Sequence, residues 1–288
     1  MDNATRIERS LAQSLALANG PDAPPQLVAA MRYAVLPGGA RIRPKLSLAA
    51  ARACGEDDTV LSATAAAAIE LLHCATLVHD DLPCFDDAAV RRGRASVHKA
   101  FGERLAVLTG DALIVLAFQS LARFGENSPR LGPLVAIVAG AVGAASGIAG
   151  GQAWECEPQV PLATYQRAKT GALFAAATAA GACSAGCSGS AWYEIGQRIG
   201  EAYQIADDIR DVVCTEEEMG KSAGRDQALG RPNAVHEFGI GKAVRHLEDL
   251  VESAMATVPE CPGANEFRAH MRREAARLLP RALARPAA

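Results

Sequence analysis

The stretch Ile69-Glu70-Leu71-Leu72-His73-Cys74-Ala75-Thr76-Leu77-Val78-His79-Asp80-Asp81-Leu82-Pro83-Cys84-Phe85-Asp86-Asp87 decides both the fold class and the place of the chemistry. Ile69, His73, Thr76 and Asp80 stand three and four residues apart, so they share one face of a helix. Pro83 disfavours helical geometry at Leu82, and the helix is expected to bend or end there. Asp80 and Asp81 then stand at its negative end, with Asp86 able to curl back toward them. Four carboxylates fall within eight residues here. Clustered carboxylates repel one another, and a cation removes that cost; oxygen-only ligands suit magnesium. A solvated acidic loop after a helix accounts for the same residues equally well, because short acidic motifs recur by chance.

Working outward, alanine dominates and apolar residues keep helical spacing in most windows, while β-branched residues alternating with polar ones are absent. The class expected is all-α: a single-domain bundle of about ten or more helices, punctuated by Gly and Pro. No repeat of fixed period points to a solenoid. Residues 131–153 and 172–193 carry no charge. Their length alone would admit a membrane span. Their Ala, Gly, Ser and Cys content favours buried core helices in close approach, and no membrane span is expected.

A second cluster, Tyr203-Gln204-Ile205-Ala206-Asp207-Asp208-Ile209-Arg210-Asp211, breaks the tie left by the first. Asp207 and Asp211 share a helix face with Gln204 one turn before, and like charges at that spacing destabilise a helix unless something bridges them. Two such clusters suggest facing walls around one metal–diphosphate centre, where the charge of a leaving pyrophosphate is neutralised as its bond breaks. Basic residues stand beside glycines and carboxylates at four points. Arg41 and Arg43 follow Gly38-Gly39, and Arg91, Arg92 and Arg94 follow the first cluster. Lys169 precedes Thr170-Gly171, and Lys221 and Arg225 follow the second cluster. Arginine grips phosphate through a planar fork and lysine as a point charge.

The formal net charge of −3 over 288 residues offers no basic surface for nucleic acid. Residues 1–18 are amphipathic and lack the apolar core of a signal peptide. None of the eight cysteines forms a Cys-x-x-Cys pair. Reduced, mostly buried thiols in a cytoplasmic protein are expected, and a zinc site is not.

These motifs resemble those of the trans-isoprenyl diphosphate synthases, also called polyprenyl synthetases, over residues 38–231 with compatible flanks. Gly38-Gly39-Ala40-Arg41-Ile42-Arg43-Pro44 is similar to the family's Gly-Gly-Lys-Arg-x-Arg-Pro segment. Asp80 to Asp86, followed by Arg91-Arg92-Gly93, resembles its first aspartate-rich motif. Gly110-Asp111, Gly151-Gln152 and Lys169-Thr170-Gly171 match three further segments. Asp207-Asp208-Ile209-Arg210-Asp211, followed by Gly220-Lys221 and Asp226, resembles the second aspartate-rich motif.

The resemblance implies that Asp80, Asp86 and Asp207 bind magnesium ions, with Asp81 and Asp211 supporting. It implies that Arg91, Lys169, Thr170, Gln204 and Lys221 hold an allylic diphosphate (dimethylallyl, geranyl or farnesyl). Arg43, His73 and Arg92 would hold isopentenyl diphosphate. The implied reaction is ionisation, condensation and elimination, with Asp80, Asp86, Lys169 and Asp207 central to it and the released pyrophosphate taking the proton. A homodimer is implied as well. Ala40 and Arg210 depart from the pattern, standing where Lys and an aliphatic residue are usual; the first removes one contact expected for isopentenyl diphosphate.

In this family a bulky side chain about one turn before the first aspartate acts as the floor of the product tunnel. Here Ala75 and Thr76 are small, which implies the C20 product geranylgeranyl diphosphate over the C15 farnesyl diphosphate. The string Pro83-Cys84-Phe85-Asp86-Asp87-Ala88 is similar to bacterial geranylgeranyl diphosphate synthases of carotenoid and chlorophyll pathways. Deeper floor residues, for which the helix around Phe118 is a candidate source, are not legible in the sequence. A terpene cyclase is disfavoured because its second motif is of a different type. A non-catalytic modulating subunit is disfavoured because both aspartate clusters are intact.

Overall fold

The computed structural model describes residues 2–36, 38–159, 162–213 and 234–278. The expectations placed on Lys221, and on Gly220, Arg225 and Asp226, lie outside the described residues. The chain runs through α1 (Asn3–Ala16), α2 (Pro25–Val35), α3 (Ile42–Ala53) and α4 (Thr59–Asp80). A two-residue hairpin follows, β1 (Val90–Arg91) and β2 (Arg94–Ala95). Then come α5 (Val97–Phe101), α6 (Glu103–Phe124), α7 (Leu131–Val142), α8 (Ile148–Ala153), α9 (Leu162–Gln166), α10 (Ala172–Ser184) and α11 (Gly189–Val213). The last described helices are α12 (Ala234–Phe238), α13 (Ile240–Ala256) and α14 (Ala264–Leu278).

Local chemistry sets the ends of the long helices. Asp58 caps α4 by accepting from the backbone N–H groups of Val60 and Leu61 at 3.1 and 2.9 Å, satisfying donors that a helix start leaves unpaired. At the other end the helix closes at Asp80, and the Asp81 N–H makes its last α-type bond to the Leu77 carbonyl. The chain leaves the helix ahead of Pro83, as the sequence predicts. Of the 22 residues of α4, 14 are buried. It packs against α1, α3, α6 and α10.

Every residue of α10 is buried, and it lies between α3, α7 and α11. Glycine makes that density possible. A Cβ on Gly181 would sit 2.1 Å from the Ser47 carbonyl oxygen, and one on Gly196 would sit 2.4 Å from that of Phe174. Backbone cannot yield such space cheaply, so alanine at either position would overpack the core by roughly 1–3 kcal/mol.

Three expectations are revised. The charge-free stretch 131–153 is not one buried helix. It breaks between α7 and α8, and α7 buries only the edge formed by Leu134, Val138 and Ala141. Among the described residues, the helices with the length and composition to cross a membrane are instead α4 and α6, and α4 is mostly enclosed within the bundle. Of the thiols, Cys54, Cys74 and Cys183 are buried, Cys187 and Cys261 are half-buried, and Cys84 and Cys156 are exposed; Cys214 lies outside the described residues. The all-α class holds, and the hairpin is an addition to it. Arg92 and Gly93, at φ 53° and 73°, make the tight turn, whose twist demands positive φ at both central positions.

Candidate active site

The first aspartate cluster closes on itself. The Asp86 N–H donates to the Asp80 carbonyl at 2.9 Å, and those of Asp87 and Ala88 return to Leu82 and Asp81. Asp80 is held by the side-chain amide of Gln152, which donates to its Oδ1. Burial pushes the Asp80 carboxyl up to about 6, the nearby charge of Lys169 working against the shift and that of Asp86 with it. Asp81 turns the other way. It is 2% exposed and takes the guanidinium of Arg91, whose Nε lies 3.0 and 3.3 Å from its two oxygens. Burial raises its carboxyl too, opposed by that arginine. Arg91 and Asp81, assigned to diphosphate and metal by resemblance, are thus brought together as an ion pair.

A cationic cavity of about 260 Å³ opens beside α4, lined by Ala40, Arg43, His73, Arg91, Arg92 and Tyr203 among others. Arg43 reaches it along the ring of Phe174, its guanidinium carbon 4.5 Å from the centroid, and puts Nη1 3.3 Å from His73 Nε2. Burial, reinforced by Arg43 and Arg92, holds the imidazole well below its ordinary pKa. His73 is therefore neutral near pH 7. Because arginine only donates, Nε2 accepts and the ring proton sits on Nδ1. Arg41, expected to be one more phosphate cation, is a structural residue. Its side chain is buried at φ 53° and bonds the Glu8 and Glu70 carboxylates and the Val35 carbonyl.

On the second wall, the Thr170 hydroxyl donates to Gln204 Oε1 at 2.8 Å. The Gln204 amide donates to Asp208 Oδ1 at 2.9 Å, and Asp208 Oδ2 accepts from the Ala234 N–H at 2.8 Å. Asp208, for which no role was expected, is 2% exposed and ties α11 to the start of α12. Asp207 and Asp211 share the α11 face expected, and the charge of Asp207 reaches Arg43. Lys169 stands in a π-helical turn, Arg167–Gly171, with its ammonium on Glu155. The Tyr165 hydroxyl donates to the same carboxylate at 2.6 Å. Gly151 explains the Gly-Gln segment: a Cβ there would lie 2.6 Å from the Lys169 backbone nitrogen. Glu155 and Gln152 had no assigned role in the sequence reading, and the glycine before Gln152 was the only hint of it.

An apolar cavity of about 360 Å³ descends from Asp80 and Gln152. Its walls include Leu72, Ala75, Thr76, Ile114, Val142 and Ile148. The Thr76 hydroxyl is spent on the Leu72 carbonyl at 3.0 Å. The α6 contribution comes from Ile114, one turn before Phe118, which is not part of the lining. Such a volume lies within the range of roughly 300–1,000 Å³ usual for ligand pockets.

Among the described residues, no three His, Cys, Asp or Glu side chains converge closely enough to hold a metal by themselves.

The sequence profile of the polyprenyl synthetases matches residues 24–265. The chain belongs to that family. It is 51% identical to a geranylgeranyl diphosphate synthase of Cereibacter sphaeroides over 96% of each chain. It is 50% identical to one of Rhodobacter capsulatus over 90% of each. Its fold matches that of a geranyltransferase from Helicobacter pylori complexed with magnesium and isoprenyl diphosphate. There the TM-score is 0.76 and the identity 27%, with 95% of this chain and 97% of that one covered. For a polyprenyl synthetase the division of space is coherent, with charge on one side of α4 and an apolar channel on the other.

Proposed function

We propose that this polyprenyl synthetase condenses isopentenyl diphosphate with an allylic diphosphate, head to tail, and carries the product to geranylgeranyl diphosphate. One observation carries the reading. A single stretch of α4 separates the two kinds of space, His73 and Leu77 lining the cationic cavity and Leu72, Thr76 and Asp80 the apolar one. The names of the relatives at 50–51% identity support the C20 product over the C15 alternative.

In this reading the isoprenoid tail lies in the apolar cavity and its diphosphate at the mouth. Asp80, Asp86 and Asp207 would hold magnesium; an oxygen-only donor set fits that ion, and burial of Asp80 leaves a charge that a cation would relieve. Bound there, magnesium would neutralise the diphosphate charge that builds as the allylic C–O bond breaks. Lys169 passes from Glu155 to the diphosphate, beside Thr170 and Gln204, while Gln152 keeps Asp80 in place. Arg91 orients Asp81 at the same mouth. Arg43 and Arg92 take the diphosphate of isopentenyl diphosphate, and neutral His73 accepts from Arg43 and fixes its fork. The apolar walls keep water from the allylic cation, and the departing pyrophosphate takes the proton, so no side-chain base is assigned. We infer one isoprenoid synthase domain, a cytoplasmic location, and a homodimer that covers α6, which exposes Leu108 at 51% and Val115 at 55%.

The test is a product assay with magnesium, labelled isopentenyl diphosphate and each allylic starter, the alcohols being resolved by length. A dominant C20 product, lost on adding EDTA and shortened to C15 by Ala75→Phe, is expected. A dominant C15 product from the unaltered chain would keep the prenyl transfer and sink the cavity argument; no elongation from any starter would sink both.

A further inference from the structure

We propose that Lys45 supplies the cation that Ala40 leaves out of the isopentenyl diphosphate pocket. The inference deepens the prenyl-transfer reading and rests on it. Four arginines line the cavity, Arg41, Arg43, Arg91 and Arg92, but two of them are already neutralised. Arg41 sits on Glu8 and Glu70, and Arg91 on Asp81. Arg43 and Arg92 remain, and the buried Nε of Arg43 has no hydrogen-bond partner among the described residues. A diphosphate ester carries about three negative charges near neutral pH, since its last proton leaves at a pKa of about 6. Two guanidinium groups fall short of that.

Lys45 stands in the first turn of α3 and is exposed. Its ammonium donates to the carbonyl of Ala40 at 2.8 Å, and Ala40 is part of the cavity wall. The charge thus already rests on the residue whose own side chain is too short to carry one. A lysine stem is flexible, so the ammonium can move from the carbonyl to a phosphate oxygen without any backbone change. The placement is poor for stability taken by itself. Cations at a helix N-terminus oppose its dipole, and the first turn of α3 holds Arg43 and Lys45 with no acidic residue. An arriving diphosphate removes that conflict.

Calorimetric titration of isopentenyl diphosphate into the full-length protein, with KM for both substrates measured in parallel, tests the assignment. Lys45→Ala is expected to weaken isopentenyl diphosphate binding and raise its KM about tenfold, the loss of one charge-assisted hydrogen bond. KM for the allylic substrate should stay within about twofold. Lys45→Arg should hold affinity, and Ala40→Lys should restore it in the Lys45→Ala background. Unchanged affinity in Lys45→Ala, an equal loss for both substrates, or failure of Ala40→Lys to restore binding would each overturn the proposal. A wild-type protein that binds isopentenyl diphosphate through Lys45 yet elongates nothing would leave the proposal standing and sink the prenyl-transfer reading instead.

Discussion

Asp81 and Asp208 are each the second aspartate of a pair, and each is 2% exposed. Asp81 closes on the guanidinium of Arg91, ten residues on. Asp208 accepts from the amide of Gln204, one turn back on its own helix, and from the backbone N–H of Ala234. Their neighbours Asp80 and Asp207 differ from both: each is only half-buried, Asp80 lines the apolar cavity, and the charge of Asp207 reaches Arg43. In the proposed function the doubled aspartate becomes a division of labour, the first residue given to the ligand and the second to the frame. The two frames differ in kind. One is an ion pair that pins a hairpin, the other a chain of hydrogen bonds that orders Thr170, Gln204 and the start of α12.

The largest effects should separate the first aspartates from the second. Asp80→Ala and Asp207→Ala are expected to lower kcat about 10³-fold, in the range seen when one group stabilising transition-state charge is removed. Neither substitution should lower the melting temperature. If Asp208→Ala abolished turnover without lowering the melting temperature, the division would be wrong. Next in size comes the ion pair. Asp81→Asn leaves Arg91 without its carboxylate. A fully buried broken pair costs about 3–5 kcal/mol, and since the Arg91 side chain is 31% exposed, about 2–3 kcal/mol is expected by urea unfolding. Adding Arg91→Met should recover most of it. Asp208→Asn should cost less, about 1–2 kcal/mol. Its two donors converge on different oxygens, so an asparagine amide leaves one of them facing an NH₂ whichever way it is turned. A cost for Asp208→Asn larger than for Asp81→Asn would reverse the ranking of the two frames.

What the sequence made legible was whatever depends on near neighbours. The spacing of Ile69, His73, Thr76 and Asp80 places a helix, Pro83 ends it, and the curl of Asp86 back to Asp80 follows from both. The clusters and the small residues Ala75 and Thr76 are read the same way. Partnerships across the fold were not legible. Arg91 reaches Asp81 only because Arg92-Gly93 makes a tight turn, and that positive-φ pair was the one available sign. Arg41 looks like any phosphate-binding arginine until Glu8 and Glu70, from two other helices, are brought against it. Glu155 carries no motif at all, yet it holds Lys169. The half-open face of α7 was hidden because an apolar composition does not say how many neighbours a helix finds.

The last expected effect is the one that isolates Asp80. In metal-free protein its carboxyl stands at about 6 against an ordinary 3.8, because burial disfavours the charge. Between those values the folded chain binds a proton that the unfolded chain has lost, so stability falls as pH rises. The contribution is full below about 3.8 and gone once pH has passed through about 6. Asp81 is shifted in the same direction by burial, so Asp80→Asn should flatten the slope in part and Asp80→Asn with Asp81→Asn further. Melting of EDTA-treated protein between pH 4.5 and 7 at fixed ionic strength reads this directly. Equal slopes for wild type and Asp80→Asn would mean that Asp80 is as well solvated as a free carboxylate. Magnesium and diphosphate added at pH 7 should then raise the melting temperature of the wild type more than that of Asp80→Asn, since a ligand stabilises by mass action only the state that binds it. A carboxylate that destabilises the empty fold and is relieved only on ligation is what the ligand half of an aspartate pair should be.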